Sequence, residues 1–327
     1  MKPTIIAIVG PTGSGKSDTG IWLCQQLNGE IVSMDSMQIY RRMDIGTAKP
    51  TPDQLNMVPH HLIDIADPDE LFTVSAYREK AFHAINDILS RGKLPILVGG
   101  TGLYLNAISY EMSMGETGAD SSIRAELSRI AAEENGPSIL HQRLEQVDPA
   151  SAKRLHENDV RRVIRALEVY LTTGKTLTVH ADDAREEGPY HVLVYGLSLP
   201  REKMYARINQ RVDEMIRAGL VDEVKALLAS GIEPRKEGGA MQAIGYKEIV
   251  SALRNEISLE SAIALIKQSS RRYAKRQWTW FRRDERTRWF DWTEFESRER
   301  MLNSLLEGIK ADIQTASLSN LSKTNGL

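Results

Sequence analysis

The feature that most constrains this chain is the run Gly10-Pro11-Thr12-Gly13-Ser14-Gly15-Lys16-Ser17, which fits GxxxxGK[ST]. An apolar stretch, Ile5 to Val9, precedes it, and a helical pattern from Ser17 to Leu27 follows. That order gives the pattern its meaning: the N–H groups of the turn and the positive end of the helix converge on phosphate oxygens. Lys16 adds a point charge, and the Ser17 hydroxyl is placed to hold Mg2+. The motif specifies phosphate but not the molecule that carries it.

Strand and helix signals then alternate. Glu30 to Met34 reads as a strand ending at Asp35, His61 to Ile65 as a third strand, and Leu94 to Val98 as a fourth. Between the last two, Ser75 to Arg91 has helical periodicity and Gly92 closes it. Alternating βαβ units imply an α/β fold, here a P-loop NTPase-like parallel-sheet core. After Tyr110 the pattern changes. Glu111 to Asp120 reads as a connection, and Ser121 to about Thr173 is charged and helical with no strand signal. His191 to Leu199 is a strand again. The simplest organisation is a core of residues 1–110 and 190–327, carrying C-terminal helices, with a helical insertion of residues 111–189. Helices are expected from Arg201, Leu220 and Ala240, with a long one from Leu259 to about Arg283 and a fraying polar tail from Thr315.

Composition excludes several classes. An apolar fraction of 41% is enough for a packed core. No apolar run approaches ~20 residues, so no membrane span is expected. The N-terminus enters the first strand without a secretory pattern, and a lone Cys24 builds neither a disulfide framework nor a thiolate zinc site, so a cytoplasmic protein is expected. His60 and His61 point to opposite faces if they lie on a strand, which argues against a metal pair. The net charge of −2 hides a local excess: between Arg271 and Arg288 the cations are opposed only by Asp284 and Glu285.

A hydrolysing ATPase needs an acidic residue at the end of another strand to hold Mg2+. The strand Ile96-Leu97-Val98 instead runs into Gly99-Gly100-Thr101-Gly102, and Asp64 is a weaker candidate. The loop could therefore serve a diphosphate other than ATP. Asp35 follows the second strand, at the rim where open α/β sheets bind ligands. Taken alone it is more readily a turn or N-cap aspartate.

The stretches GPTGSGKS, DSMQIYR (from Asp35) and GGTGLYL (from Gly99) together resemble tRNA dimethylallyltransferases, also called isopentenyl transferases. The resemblance continues in NDVRRVIRALEVY (from Asn158), MQAIGYKE (from Met241) and RRYAKRQWTWFRR (from Arg271), and weakens over Ser121 to Gly136. It implies prenyl transfer from dimethylallyl diphosphate to the N6 amine of the adenosine immediately 3′ of the anticodon. In that reading the phosphate loop holds the donor's diphosphate with Mg2+ as cofactor. Asp35 is the general base, Thr101 lies at the reaction centre, and Lys16 and Arg211 neutralise the leaving group. Arg211 could equally be a solvated helix arginine.

The acceptor base must be extruded and its edges held, which suits Asp35, Ser36, Met37 and Gln38 beside Thr101. Gln242, Gly245, Tyr246 and Lys247 are further RNA candidates. The insertion offers Arg124, and Asp159, Val160, Arg161, Arg162 and Val163 at a helix start with Asn158 as its N-cap, as well as Arg165. In the C-terminal segment, Lys275 and Arg276 are the RNA candidates and Trp280 is assigned to the core. The partners expected are the tRNA anticodon stem-loop and dimethylallyl diphosphate, on a monomer. Competing readings are a small-molecule P-loop kinase, a non-catalytic RNA-binding ATPase, and a prenyltransferase acting on adenosine phosphate.

Overall fold

The structure, a computed structural model, describes residues 2–111, 121–177, 187–235 and 239–324. They fall into two compact units, Met1–Ile108 with Tyr190–Leu327, and Ser109–Pro189.

The first unit is built on a six-stranded parallel sheet of order β3-β2-β4-β1-β5-β6. Its strands are β1 (Thr4–Val9), β2 (Gly29–Met34), β3 (His60–His61), β4 (Leu94–Gly99), β5 (His191–Ser198) and β6 (Arg288–Asp291). The sequence of β1, TIIAIV, is apolar almost throughout, and every residue after Thr4 is buried. A strand covered on both faces needs such a run rather than an alternating one. The sheet faces are covered by α1 (Lys16–Leu27), α3 (Val74–Ser90), α4 (Gly102–Ser109) and α13 (Arg298–Thr324).

A further layer comprises the short α2 (Pro52–Met57), α9 (Arg201–Arg217), α10 (Leu220–Ala229), α11 (Tyr246–Leu253) and α12 (Leu259–Phe281). A second apolar cluster there joins Ile39, Tyr40 and Met43 to Leu220, Tyr246 and Ile249. The other unit packs α5 (Ser121–Ala131), α6 (Gly136–Val147), α7 (Pro149–Arg154) and α8 (Val160–Thr173) around Leu140, Leu144, Val163 and Leu167.

Several expectations are corrected. The third strand stops at His61 because Leu62 (φ 65°) and Asp64 (φ 57°) adopt left-handed conformations that break pairing. From Ala240 the chain forms only a 3-10 turn, Ala240–Gln242, before α11 starts at Tyr246. The tail is helical through Thr324: no Gly or Pro interrupts it after Gly308, and Met301, Leu305 and Ile309 anchor its first half. The N-cap of α8 is Asp159, not Asn158, and its carboxylate pairs with Arg162 at 2.7 Å instead of capping the helix. Strand β6 and helix α2 have no counterpart among the elements expected from sequence. The connection expected at Glu111 to Asp120 falls almost wholly on residues 112–120, outside the described residues.

Candidate active site

Strand order brings the chemistry together. With β4 between β1 and β2, the phosphate loop after β1, the turn after β4 and Asp35 after β2 share one rim of the sheet. That rim is the carboxyl end of the strands.

The loop backbone needs its glycines at two points in particular. Gly10 has φ 139°, and a Cβ there would come within 2.4 Å of the Leu197 carbonyl oxygen. Gly15, the N-cap of α1, has φ 88°, and a Cβ there would lie 2.8 Å from the Trp292 ring. Trp292 thus backs the loop, flanked by the guanidinium groups of Arg207 and Arg298 at 5.2 and 5.3 Å. Lys16 curls over the loop and donates to the Pro11 carbonyl at 2.8 Å. Burial, reinforced by the nearby positive charge of Arg211, pushes the Lys16 amine down to about 7, with Asp35 acting in the opposite sense. Burial also holds Arg211, on α9, below the usual guanidinium range, and Asp35 again opposes the shift. Two cations within the field of one carboxylate form a site for a multiply charged anion.

Asp35 is a turn residue as well as a candidate base. Its Oδ1 accepts from the N–H groups of Met37 (2.9 Å) and Gln38 (3.4 Å), which fixes the carboxylate's direction. The Thr101 hydroxyl accepts from the Ser36 N–H at 3.3 Å, and the Thr101 N–H donates to the Met34 carbonyl at 3.1 Å. Asp35, Ser36 and Thr101 therefore form one cluster, and Lys16 and Arg211 are close enough to feel the Asp35 charge.

Other candidates have different places. Gln38 spends its amide on the protein: Nε2 donates to the carbonyls of Thr47 (3.3 Å) and Ala48 (3.2 Å), and Oε1 accepts from Ser33. Met37 is packed against the second apolar cluster. Tyr246 is fully buried, so it is no stacking platform for RNA; its hydroxyl donates to Glu223 at 2.6 Å. The same carboxylate accepts from the N–H groups of Asp44, Ile45 and Gly46. Tyr246 and Glu223 thus pin the segment that follows Gln38. Bonds of this charge-assisted kind contribute roughly 1.5–3 kcal/mol each.

Gly245, at φ 102°, is a conformational residue whose N–H donates to the Glu248 carboxylate at 2.8 Å. Lys247 and Gln242 are exposed, the latter donating to the Arg235 carbonyl at 2.6 Å. Asp64 pairs with Lys49. Trp280, assigned to the core from its helical spacing, is 43% exposed, because it lies at the outer edge of α12 with its indole against Gly102.

In the separate helical unit, Val163 is fully buried and has no surface to offer RNA, and the half-buried Val160 packs against the same cluster. Arg161 and Arg162, on the opposite face of α8, are exposed. Arg124 and Arg165 converge on the buried Glu168 carboxylate, each at 2.8 Å. Lys275 and Arg276, on α12 of the first unit, are exposed, and Arg276 lies over the Tyr273 ring.

Two residues of the site are not foreseen from sequence. One is Trp292, whose stretch DWTEF carries no signal for a place behind a glycine loop. The other is Gln277, which bonds to both the phosphate loop and the turn after β4.

A phosphate loop beside a turn-held carboxylate, on a parallel sheet, defines a class of enzyme that works on a phosphorylated or diphosphorylated substrate. Residues 38–284 match the family described as IPP transferase. The chain is 50% identical over 292 residues to a tRNA dimethylallyltransferase of Carboxydothermus hydrogenoformans, covering 89% of this chain and 93% of that one. The crystal structure of the full-length tRNA isopentenylpyrophosphate transferase of Bacillus halodurans is similar at TM-score 0.74 and 42% identity, covering 98% and 99% of the two chains. A eukaryotic dimethylallyltransferase, solved acting on tRNA, is similar at TM-score 0.79 and 29% identity, over 97% of this chain and 80% of that one. The chain belongs to the IPP transferase family, and this sets the kinase reading aside. Among the described residues, no helix is long and apolar enough to cross a membrane.

Proposed function

We propose that this chain transfers the dimethylallyl group of dimethylallyl diphosphate to the N6 amine of the adenosine 3′ of the anticodon in tRNA. The products are N6-isopentenyladenosine and diphosphate. The observation that carries this reading is the joint placement of the phosphate loop, the Asp35–Thr101 cluster and Arg211 at one rim.

The chemistry divides among these groups. The donor's C1–O bond breaks and a C1–N6 bond forms. An adenine amine is a weak nucleophile because its lone pair is delocalised into the ring. Asp35, its Oδ1 already committed to the turn, takes the N6 proton as the new bond forms. Lys16, Arg211 and the loop N–H groups receive the charge that develops on the departing diphosphate. The Ser17 hydroxyl, exposed on the first turn of α1, fits a hard oxygen-seeking cation, and no cluster of acidic or imidazole ligands accompanies it among the described residues. Ser17 would hold Mg2+ together with donor oxygens, and the ion would add charge neutralisation there.

The direct test incubates the protein with radiolabelled dimethylallyl diphosphate, Mg2+ and unmodified tRNA. Label is expected in N6-modified adenosine of the RNA; in a parallel incubation with adenosine monophosphate added, label in the nucleotide but not in tRNA would move the acceptor to a free nucleotide.

Donor binding should depend on pH through Lys16. A bound diphosphate raises the amine's pKa back toward its ordinary range. At a pH above about 7, binding therefore takes up a proton, and donor affinity falls as pH rises further. Calorimetry near pH 8, in buffers of different ionisation enthalpy, should show uptake of a substantial fraction of a proton. Uptake that persists unchanged in Lys16→Ala would assign it to another group.

The exposed cations on α8 and α12 serve as the RNA-positioning groups in this reading. Arg162's pair with Asp159 is a surface pair, worth well under ~1 kcal/mol, and so gives way readily to a phosphate. Neutralising Arg161 with Arg162, or Lys275 with Arg276, should weaken tRNA binding. The salt dependence should flatten by roughly one slope unit for each phosphate no longer neutralised. A log–log salt titration of both double variants checks this, and slopes equal to wild type would remove these residues from the interface.

A further inference from the structure

The amide of Gln277 ties the two halves of the active-site rim together. Its Oε1 accepts from the Thr12 N–H at 2.8 Å and the Thr12 hydroxyl at 3.1 Å, and its Nε2 donates to the Gly100 carbonyl at 3.1 Å. The side chain is only 6% exposed. One helical turn earlier on the same face of α12, the Tyr273 hydroxyl lies near Thr101 and Gln277, whose polar side chains favour its ionised form while burial pushes its pKa up to about 12. Gly100 leaves no room for anything else: a Cβ there would lie 2.0 Å from the Gln277 nitrogen.

A continuous polar path results. It runs from Thr12 in the phosphate loop through Gln277 to the Gly100 carbonyl, and from the adjacent Thr101 to Ser36 beside Asp35. No member of this path other than Thr12 belongs to the loop that cradles phosphate. An ordinary core amide needs only to satisfy its own atoms. This one is shared between the loop that receives the donor and the turn that receives the acceptor.

We infer that Gln277, assisted by Tyr273, is a positioning residue that sets the distance between the diphosphate held by the phosphate loop and the amine held at Asp35–Thr101. The inference rests on the prenyl-transfer reading above. In-line displacement at C1 requires nucleophile and leaving group to be aligned, and a misplacement on the order of 1 Å can cost about 10²-fold in rate. Gln277 is buried and bonded to the protein on both sides, so its effect is expected on turnover with both substrates bound, not on the binding of either.

The test compares wild type with Q277L, Q277E and Y273F. It measures single-turnover transfer at saturating substrates, donor and tRNA Kd, thermal melting, and hydrogen exchange of the loop amides. Q277L is expected to lose roughly 10–100-fold in rate while both Kd values stay within about threefold. Exchange at residues 10–17 and 99–102 should rise, with β1 and β5 unchanged. Q277E keeps the two acceptor bonds to Thr12 but has no donor for Gly100, so its loss is intermediate. Y273F should lose less than Q277L. If Q277L fails to fold, Q277E and Y273F carry the same comparison. A folded Q277L with wild-type single-turnover rate, changed only in melting temperature, would overturn the proposal. So would a loss confined to donor Kd. Failure of the wild type itself to label tRNA would instead overturn the reaction, whatever the variants do.

Discussion

Lys16→Ala should slow prenyl transfer by roughly 10²–10³-fold at saturating tRNA, the magnitude seen when one preorganised charge-stabilising donor is removed. The amine lies in the loop against the Pro11 carbonyl, where burial leaves it poorly solvated and the Arg211 charge repels it. A charge in that setting interacts more strongly with a developing anion than it would in water. The fold should survive, because the substitution removes a desolvated cation that Arg211 repels, at the expense of its hydrogen bond to the Pro11 carbonyl. tRNA affinity should stay within about twofold, since the exposed cations of α8 and α12 are untouched. Rapid-quench transfer with labelled donor, alongside filter binding of tRNA, makes the comparison. Unchanged turnover and donor affinity would show that the loop does not carry the donor.

The second large effect is expected from Asp35→Asn, a loss of about 10²–10⁴-fold in the chemical step. The amide oxygen of asparagine can still accept from the Met37 and Gln38 N–H groups, so the turn that aims the side chain is retained. Proton acceptance is lost. A side effect has to be separated from this: Asp35 raises the Lys16 pKa, so its removal drives that pKa further below about 7 and leaves more of the amine neutral in the empty site. Rates should therefore be compared near pH 6, with donor in excess, where Lys16 is protonated in both proteins. A variant with a near-native single-turnover rate under those conditions would remove Asp35 as the base.

The parts of the site that were legible in the sequence are those where function is written in consecutive residues. The phosphate loop, Asp35 and Thr101 each follow directly on a strand, and a parallel sheet sends every such junction to one rim. The apolar runs of β1, β2 and β4 were legible because burial on both faces leaves little choice of residue. Tyr246 was misread because its motif says that an aromatic is required there but not which way it points. Only the tertiary structure shows it packed against Gly46 and bonded to Glu223. Trp280 erred in the opposite direction: helical spacing placed it inside, yet its face of α12 is left partly uncovered beside Gly102. Gln277 sits in a basic stretch whose charge drew attention to its neighbours, and its partners lie far away in sequence. Edge strand β6 is four residues long, RWFD, too short for periodicity to register.

The bond between Thr12 and Gln277 spans 265 residues, and β1 finds its neighbour β5 only at His191. The phosphate loop therefore waits long for its partners during synthesis. At ribosomal elongation of roughly 5–20 residues per second, the phosphate loop emerges more than ten seconds before the helix that fixes it. Until β5 follows at His191, β1 has β4 on one flank and an open hydrogen-bonding edge on the other, the condition under which strands pair with wrong partners. A nascent chain interrupted anywhere before α12 carries the complete glycine loop yet leaves the Thr12 amide unclaimed. The active-site rim comes together nearly all at once, when α12 has been made.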